Sequence, residues 1–274
     1  MIQRRATAVF SAFFHRAALR AITLLLPAAA CHALVIVPGN PFPDGPNAGV
    51  ARAITLQGEL LPGDTDKLVQ WLRSHPADAW HGTGRVDVRI AGGSQREALQ
   101  LAEILVNLYP HMAAGADCSG ACAIVWLAGA WRTLPRGKIG MEKPAPTPVP
   151  VASSNALDAP PAYDPLLDQL RAYYVKQGLQ PMLADQALAG RSGQVYWLSD
   201  RDINSTGVWP PYYFEKLRTN CPLLLHNNEA FHALRRCAAG LVISQKAFAF
   251  DRLMQGANHP WWNENRDVFK SAPR

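Results

Sequence analysis

Two short stretches of the sequence bring together residue types that could do chemistry. Cys118-Ser119-Gly120-Ala121-Cys122 places a hydroxyl and a glycine between two cysteines, at the point where an apolar run begins, and Gly92-Gly93-Ser94 ends a run of alternating hydrophobicity. A helix start presents backbone N–H groups that have no carbonyl within the helix, and a Gly-Gly turn lets backbone approach a ligand closely. Gly92, Gly93, Gly120 and Ala121 are therefore the candidates for holding a carbonyl or an oxyanion. Ser119 is the candidate nucleophile, and Glu142 could act as its base. That chemistry needs the base within hydrogen-bonding reach and a third group to orient it. An ordinary carboxyl titrates at about 4.3 and is a poor base unless desolvated. Helix capping is the plainer expectation for Ser119, and for Asp117 beside it.

The elements that must position these residues alternate between strand and helix. Arg52 to Leu60 reads as an opening strand closed by Pro62-Gly63, and Asp64 is placed to cap a helix carrying Leu68, Val69 and Leu72. Val86 to Ile90 alternates like a strand and breaks at the two glycines. From Ser94 the apolar residues Ala98, Leu101, Ala102, Leu105, Leu108 and Tyr109 fall on one helical stripe. A short strand from His111 to Gly115 precedes the cysteine motif, whose helix runs to Gly129. Repeated strand-helix units of this kind predict an α/β fold whose sheet is built by right-handed parallel crossovers. From Lys143 to Pro161 the composition turns to proline, alanine and serine, with Pro144, Pro146, Pro148 and Pro150 at every second position. No core strand or helix tolerates that spacing, so a long loop is expected there. Structure resumes at Leu166 to Gln177 and Pro181 to Leu188.

This order of strand, Gly-Gly-Ser, helix, strand and cysteine-bracketed helix resembles the Clp protease/crotonase superfamily, and most closely its secreted bacterial branch, over about Ile54 to Val208. The resemblance implies a crotonase/Clp-like spiral of strand-helix units; it ends near Trp209, and the helical run Glu229 to Arg236 predicts a helical C-terminal extension over 210–274. It also implies oxyanion-hole amides at the Gly-Gly-Ser turn, a nucleophilic serine in the middle of the cysteine motif, and a histidine two residues after an Ile-Gly pair. Here the serine position is Gly120 and the histidine position is Glu142; the third, acidic position falls near Arg191 to Gly193, where there is no acid. Ser119 lies one residue early, a rotation of roughly 100° on a helix. The expectation is a non-catalytic peptide- or acyl-binding protein or oligomeric scaffold with a substituted triad, the alternative being an active serine peptidase that uses Ser119. Members of the superfamily assemble into trimers or larger rings, which implies a homo-oligomer.

Composition bounds the rest. Of 274 residues 49% are hydrophobic and 18% charged, which excludes a disordered chain, and 22 prolines imply long irregular segments. Arg4, Arg5, Arg16 and Arg20 followed by the uncharged stretch Ala21 to Ala33 read as a signal peptide over 1–33, the alternative being an uncleaved membrane anchor. Removing it takes four arginines and no acid, so the formal charge falls from +6 to +2 (6 − 4), and no concentrated basic face is left to suggest nucleic acid. The exported chain would sit in the periplasm or outside the cell, with four cysteines, Cys118, Cys122, Cys221 and Cys237. Four cysteines allow three pairings, and a bridge between Cys118 and Cys122 on one helical turn would distort that turn. A zinc set of Cys221, His226, His232 and Cys237 has no recognised spacing, so no metal and no cofactor are expected.

Overall fold

The computed structural model describes residues 33–41, 43–44, 49, 51–77, 85–108, 110–134, 136–145, 165–206, 210–211, 215, 219–221, 237 and 264. Its first strand, β1 (Val35–Pro38), runs antiparallel to β2 (Ile54–Leu60). Ile54, Leu56 and Leu60 turn into the core, and Pro62-Gly63 ends the strand. The helix α1 (Asp64–Ser74) then buries Leu68 and Leu72. Asp64 does not cap this helix through its side chain; its carboxylate accepts the N–H groups of Leu61 at 2.7 Å and Leu34 at 3.2 Å, tying the helix start to the strand region before it.

Strand β3 (Arg85–Gly93) buries Val86, Val88 and Ile90 and lies parallel to β2. Ser94 caps α2 (Gln95–Val106), its hydroxyl accepting from the Glu97 N–H at 3.2 Å, and the stripe Ala98, Leu101, Ala102 and Leu105 is buried as its spacing predicts. The Glu97 carboxylate reaches instead to the Thr65 N–H at 2.6 Å, joining the starts of α1 and α2. After β4 (His111–Ala114) come β5 (Cys118–Ser119), α3 (Ala121–Leu127), β6 (Trp131–Thr133) and β7 (Ile139–Glu142). Every residue of α3 is buried. Two helices, α4 (Pro165–Lys176) and α5 (Pro181–Ala189), precede β8 (Val195–Trp197) and α6 (Asp200–Thr206).

The fold is α/β with mixed sheets. Where the sequence suggested one sheet there are two: a five-stranded sheet in the order β1-β2-β3-β4-β6, parallel apart from β1, and a three-stranded sheet in the order β5-β7-β8. β7 is parallel to β5 and antiparallel to β8, so the second sheet is mixed as well. Arg132, almost fully buried on β6, anchors α4 to the first sheet. Its guanidinium donates to the Gln177 carbonyl at 2.8 Å, to Gln177 Oε1 at 3.0 Å and to the Gly129 carbonyl at 3.2 Å.

All of these elements belong to the unit Cys31–Arg274. The expected signal peptide lies outside the described residues except for Ala33, and the proline-rich loop except for Lys143 to Ala145. Most of the C-terminal extension, with His226 and His232, is outside them too. Among the described residues no helix is long and apolar enough to cross a membrane.

Candidate functional site

The cysteine motif is a strand-turn-helix elbow rather than the opening of a helix. Cys118 and Ser119 are extended and pair with Ile139 and Gly140 of β7, the Cys118 N–H reaching the Lys138 carbonyl at 2.8 Å. The chain turns at Gly120, with φ 56° and ψ −119°, and α3 starts at the next residue. That conformation disfavours any residue with a Cβ, and a sharp strand-to-helix turn of this kind is one way proteins hold an exposed nucleophile.

Because the turn comes at 120, Ser119 is the end of a strand and not a helix cap; the cap position is Gly120, which has no side chain to donate or accept. Asp117 is not a cap either, since its carboxylate accepts the Lys138 N–H at 2.8 Å. The elbow also removes the objection to a Cys118–Cys122 bridge. With one cysteine on the strand and the other in the first helical turn, their Cα atoms are 5.2 Å apart and the disulfide forms without breaking a regular helix. Cys221 and Cys237 form the second bridge, so their sulfurs are not available as zinc-binding thiolates. Among the described residues no group of three or more His, Cys, Asp or Glu side chains could hold a metal ion.

Glu142 ends β7, two residues beyond the glycine that pairs with Ser119. A Cβ built on Gly120 would fall on Glu142 Oε2, with the carboxyl carbon 3.3 Å away, so the bare Cα of the elbow faces this carboxyl group. Burial alone pushes the Glu142 carboxyl above the ordinary range. That shift makes it a better proton acceptor, yet no hydrogen bond joins it to Ser119. Of the two amides expected at the elbow, that of Gly120 is engaged, donating to the Gly140 carbonyl at 3.1 Å. Ala121 supplies the first-turn amide that has no partner within its own helix.

Gly92 and Gly93 end β3 in register with Glu59 and Leu60, and β3 packs against both β5 and α3. Gly93 has φ +107° and lies so close to Leu60 that an added Cβ would meet its carbonyl carbon at 2.9 Å. The Gly-Gly turn therefore lets two parallel strands approach, whatever else it does. Space at Gly92 is open.

One residue at the site carries no sequence signal. Tyr174, on α4, is 0% exposed and its hydroxyl has no hydrogen-bond partner among the described residues. Burial first, and then the charge of Glu142, push its phenol far above the usual range, so Tyr174 lies within the electrostatic reach of the elbow carboxyl. Its neighbour Tyr173 donates to the Ile124 carbonyl at 2.8 Å, which packs α4 against α3. A tyrosine pair in a helix reads as core, and nothing in the sequence links either hydroxyl to Glu142.

The sequence matches no known family model, and no curated protein matches it. Among solved structures it is similar to ClpP1 from Listeria monocytogenes, at 12% identity and a TM-score of 0.40, over 58% of this chain and 88% of that one. A point mutant of the same protein gives 11% identity and a TM-score of 0.41 over the same shares.

Proposed function

We propose that this chain is an exported, oligomeric, Clp/crotonase-like scaffold whose elbow has lost serine-peptidase chemistry and binds peptide or acyl-like groups instead. The single observation that carries the reading is Gly120. At the turn where a nucleophile would stand there is no hydroxyl, and the space in front of it is filled by the Glu142 carboxyl. Ser119, the nearest hydroxyl, is held in β5 and has no base bonded to it, which counts against the peptidase alternative. The turn at Gly92 and Gly93 and the Ala121 amide remain as the groups that would hold a carbonyl. Two disulfides suit an oxidising compartment and so support export.

A fluorophosphonate probe, which labels activated serines, tests this directly. The parent protein should stay unlabelled, and Gly120→Ser combined with Glu142→His should gain labelling if the surrounding cradle is intact. Labelling of the parent that Ser119→Ala abolishes would make the protein a peptidase and remove the proposal.

A further inference from the structure

Asp64 holds a carboxylate where burial ordinarily excludes one. It is 0% exposed, and a desolvated charge is costly unless cations and donors surround it. One oxygen, Oδ1, has the Lys67 ammonium at 2.6 Å, on a side chain that is itself half exposed. The other, Oδ2, is met by two backbone nitrogens, that of Leu61 at 2.7 Å and that of Leu34 at 3.2 Å. Leu61 is three residues away in sequence and closes the local turn. Leu34 is thirty residues away, and it is the residue with which the chain would begin after cleavage at Ala33.

The Leu34 nitrogen is held in place from its C-terminal side. The Leu34 side chain is buried in the core, and the four residues after it, Val35–Pro38, pair with β2. Ala33 adds an isolated bridge to Glu59, so losing it removes that bridge and leaves both other anchors. Leader removal acts on the chain as it is exported, before folding buries Leu34. Hydrolysis of the Ala33–Leu34 bond by a signal peptidase and water leaves Ala33 a carboxylate and turns the Leu34 amide into an ammonium with three donors.

We infer that Asp64 is the receptor for the mature amino terminus: once the leader is cut off after Ala33, the Leu34 α-ammonium forms a buried ion pair with Asp64 Oδ2. The inference rests on the export reading and gives the processed end of the chain a place in the fold. A free α-amino group titrates at about 8 and is charged at neutral pH. Its bond to a carboxylate is shorter and stronger than that of a neutral amide, so the 3.2 Å contact is the one that processing tightens. In the uncut chain the same nitrogen has a single uncharged N–H to give. The pair therefore ties the start of β1 to the start of α1 in the processed protein alone.

The test uses the protein purified from the exporting cell with its disulfides intact. Intact mass reads where the chain begins, and the α-amine is then challenged with an N-terminus-selective pyridinecarboxaldehyde. Labelling should be at least tenfold slower in the native protein than in the same protein unfolded in urea. A glycine and a serine inserted between Ala33 and Leu34 carry the amine away from Asp64, and that chain should label equally fast in both states and melt at a lower temperature. Asp64→Asn, which keeps the shape and removes the charge, should lift the protection of the Leu34 amine, and the insertion should then cost no further melting temperature. Where Asp64→Asn folds poorly, the unaltered chain still decides through the proton resonance of the Leu34 ammonium at neutral pH, which only a bonded ammonium sheltered from exchange gives. Equal labelling of the native and unfolded parent, protection that survives in Asp64→Asn, or absence of that resonance overturns the inference and leaves export standing. A mature chain that begins anywhere but at Leu34 overturns it together with the expected cleavage. The fluorophosphonate result at the elbow is independent of all of these.

Discussion

Glu142 is a residue that folding alone would not choose. Its carboxyl titrates higher in the folded chain than in the unfolded one because burial disfavours its charge. A raised carboxyl pKa means that the folded state holds the proton more tightly. Glu142 is therefore best tolerated below its unfolded value and becomes a liability as pH rises through the folded one. Glu142→Gln, which keeps the shape and removes the charge, should melt roughly 1–3 °C higher than the parent at pH 7. The gap should close as the pH is lowered past the ordinary glutamate range, which thermal melts across pH would read. Asp64 has the opposite sign. Burial raises its carboxyl, but hydrogen bonds from Lys67, Leu61 and Leu34 outweigh that and hold it below the usual range, so its contribution is present at neutral pH and lost in acid. The pH profile of the whole chain thus mixes opposing groups, and only the difference between parent and variant isolates Glu142. At this scale the sequence was informative about position and silent about contact: the offset of Glu142 from Ile139-Gly140 was visible, whereas the closeness of its carboxyl to the bare Cα of Gly120 was not.

At the scale of elements, the Gly92-Gly93 turn separates two demands that look alike in the sequence. Gly93 is required by packing as well as by conformation, since a Cβ there meets the backbone of Leu60, while Gly92 faces open space. Gly93→Ala should cost at least about 3 kcal/mol, through backbone strain and strand separation together. Gly92→Ala should cost less, and denaturant unfolding of the two variants would measure the contrast. Equal costs would mean that the close approach of β2 and β3 contributes nothing. Long elements were legible because their periods had room to repeat; the stripe Ala98, Leu101, Ala102 and Leu105 is the clearest case. The three-stranded sheet was not, because β5, β8 and β7 have only 2, 3 and 4 residues, too few to show alternation. That shortness is also why Ser119 read as a helix cap: a strand of two residues running into a helix looks like the helix's own first turn.

For the molecule as a whole, the two disulfides divide the cysteines into four that are bonded and Cys31, which stands in the expected signal peptide. Export with cleavage after Ala33 would leave no thiol, whereas a retained leader would leave one. Intact mass of the non-reduced, iodoacetamide-treated protein should show a chain that begins near Leu34 and carries no adduct. Two or more adducts on native material would contradict both bridges. The second bridge joins Cys221 to Cys237, sixteen residues apart, and closes a loop with an entropic benefit of about 3 kcal/mol.

The geometry around Gly120 also sets which substitutions at the elbow can be tolerated. A serine introduced at 120 while Glu142 is present places its Cβ on the end of a carboxyl that can swing aside, while the φ of +56° strains any side chain at 120 whatever stands at 142. Replacing Glu142 first meets no such obstacle, because the glycine opposite leaves room for a different side chain. The larger cost of a side chain at 120 is therefore the backbone's and is the same on either background; only the displacement of the carboxyl couples the two positions. A library randomised at both sites should therefore favour glycine at 120 whatever side chain stands at 142.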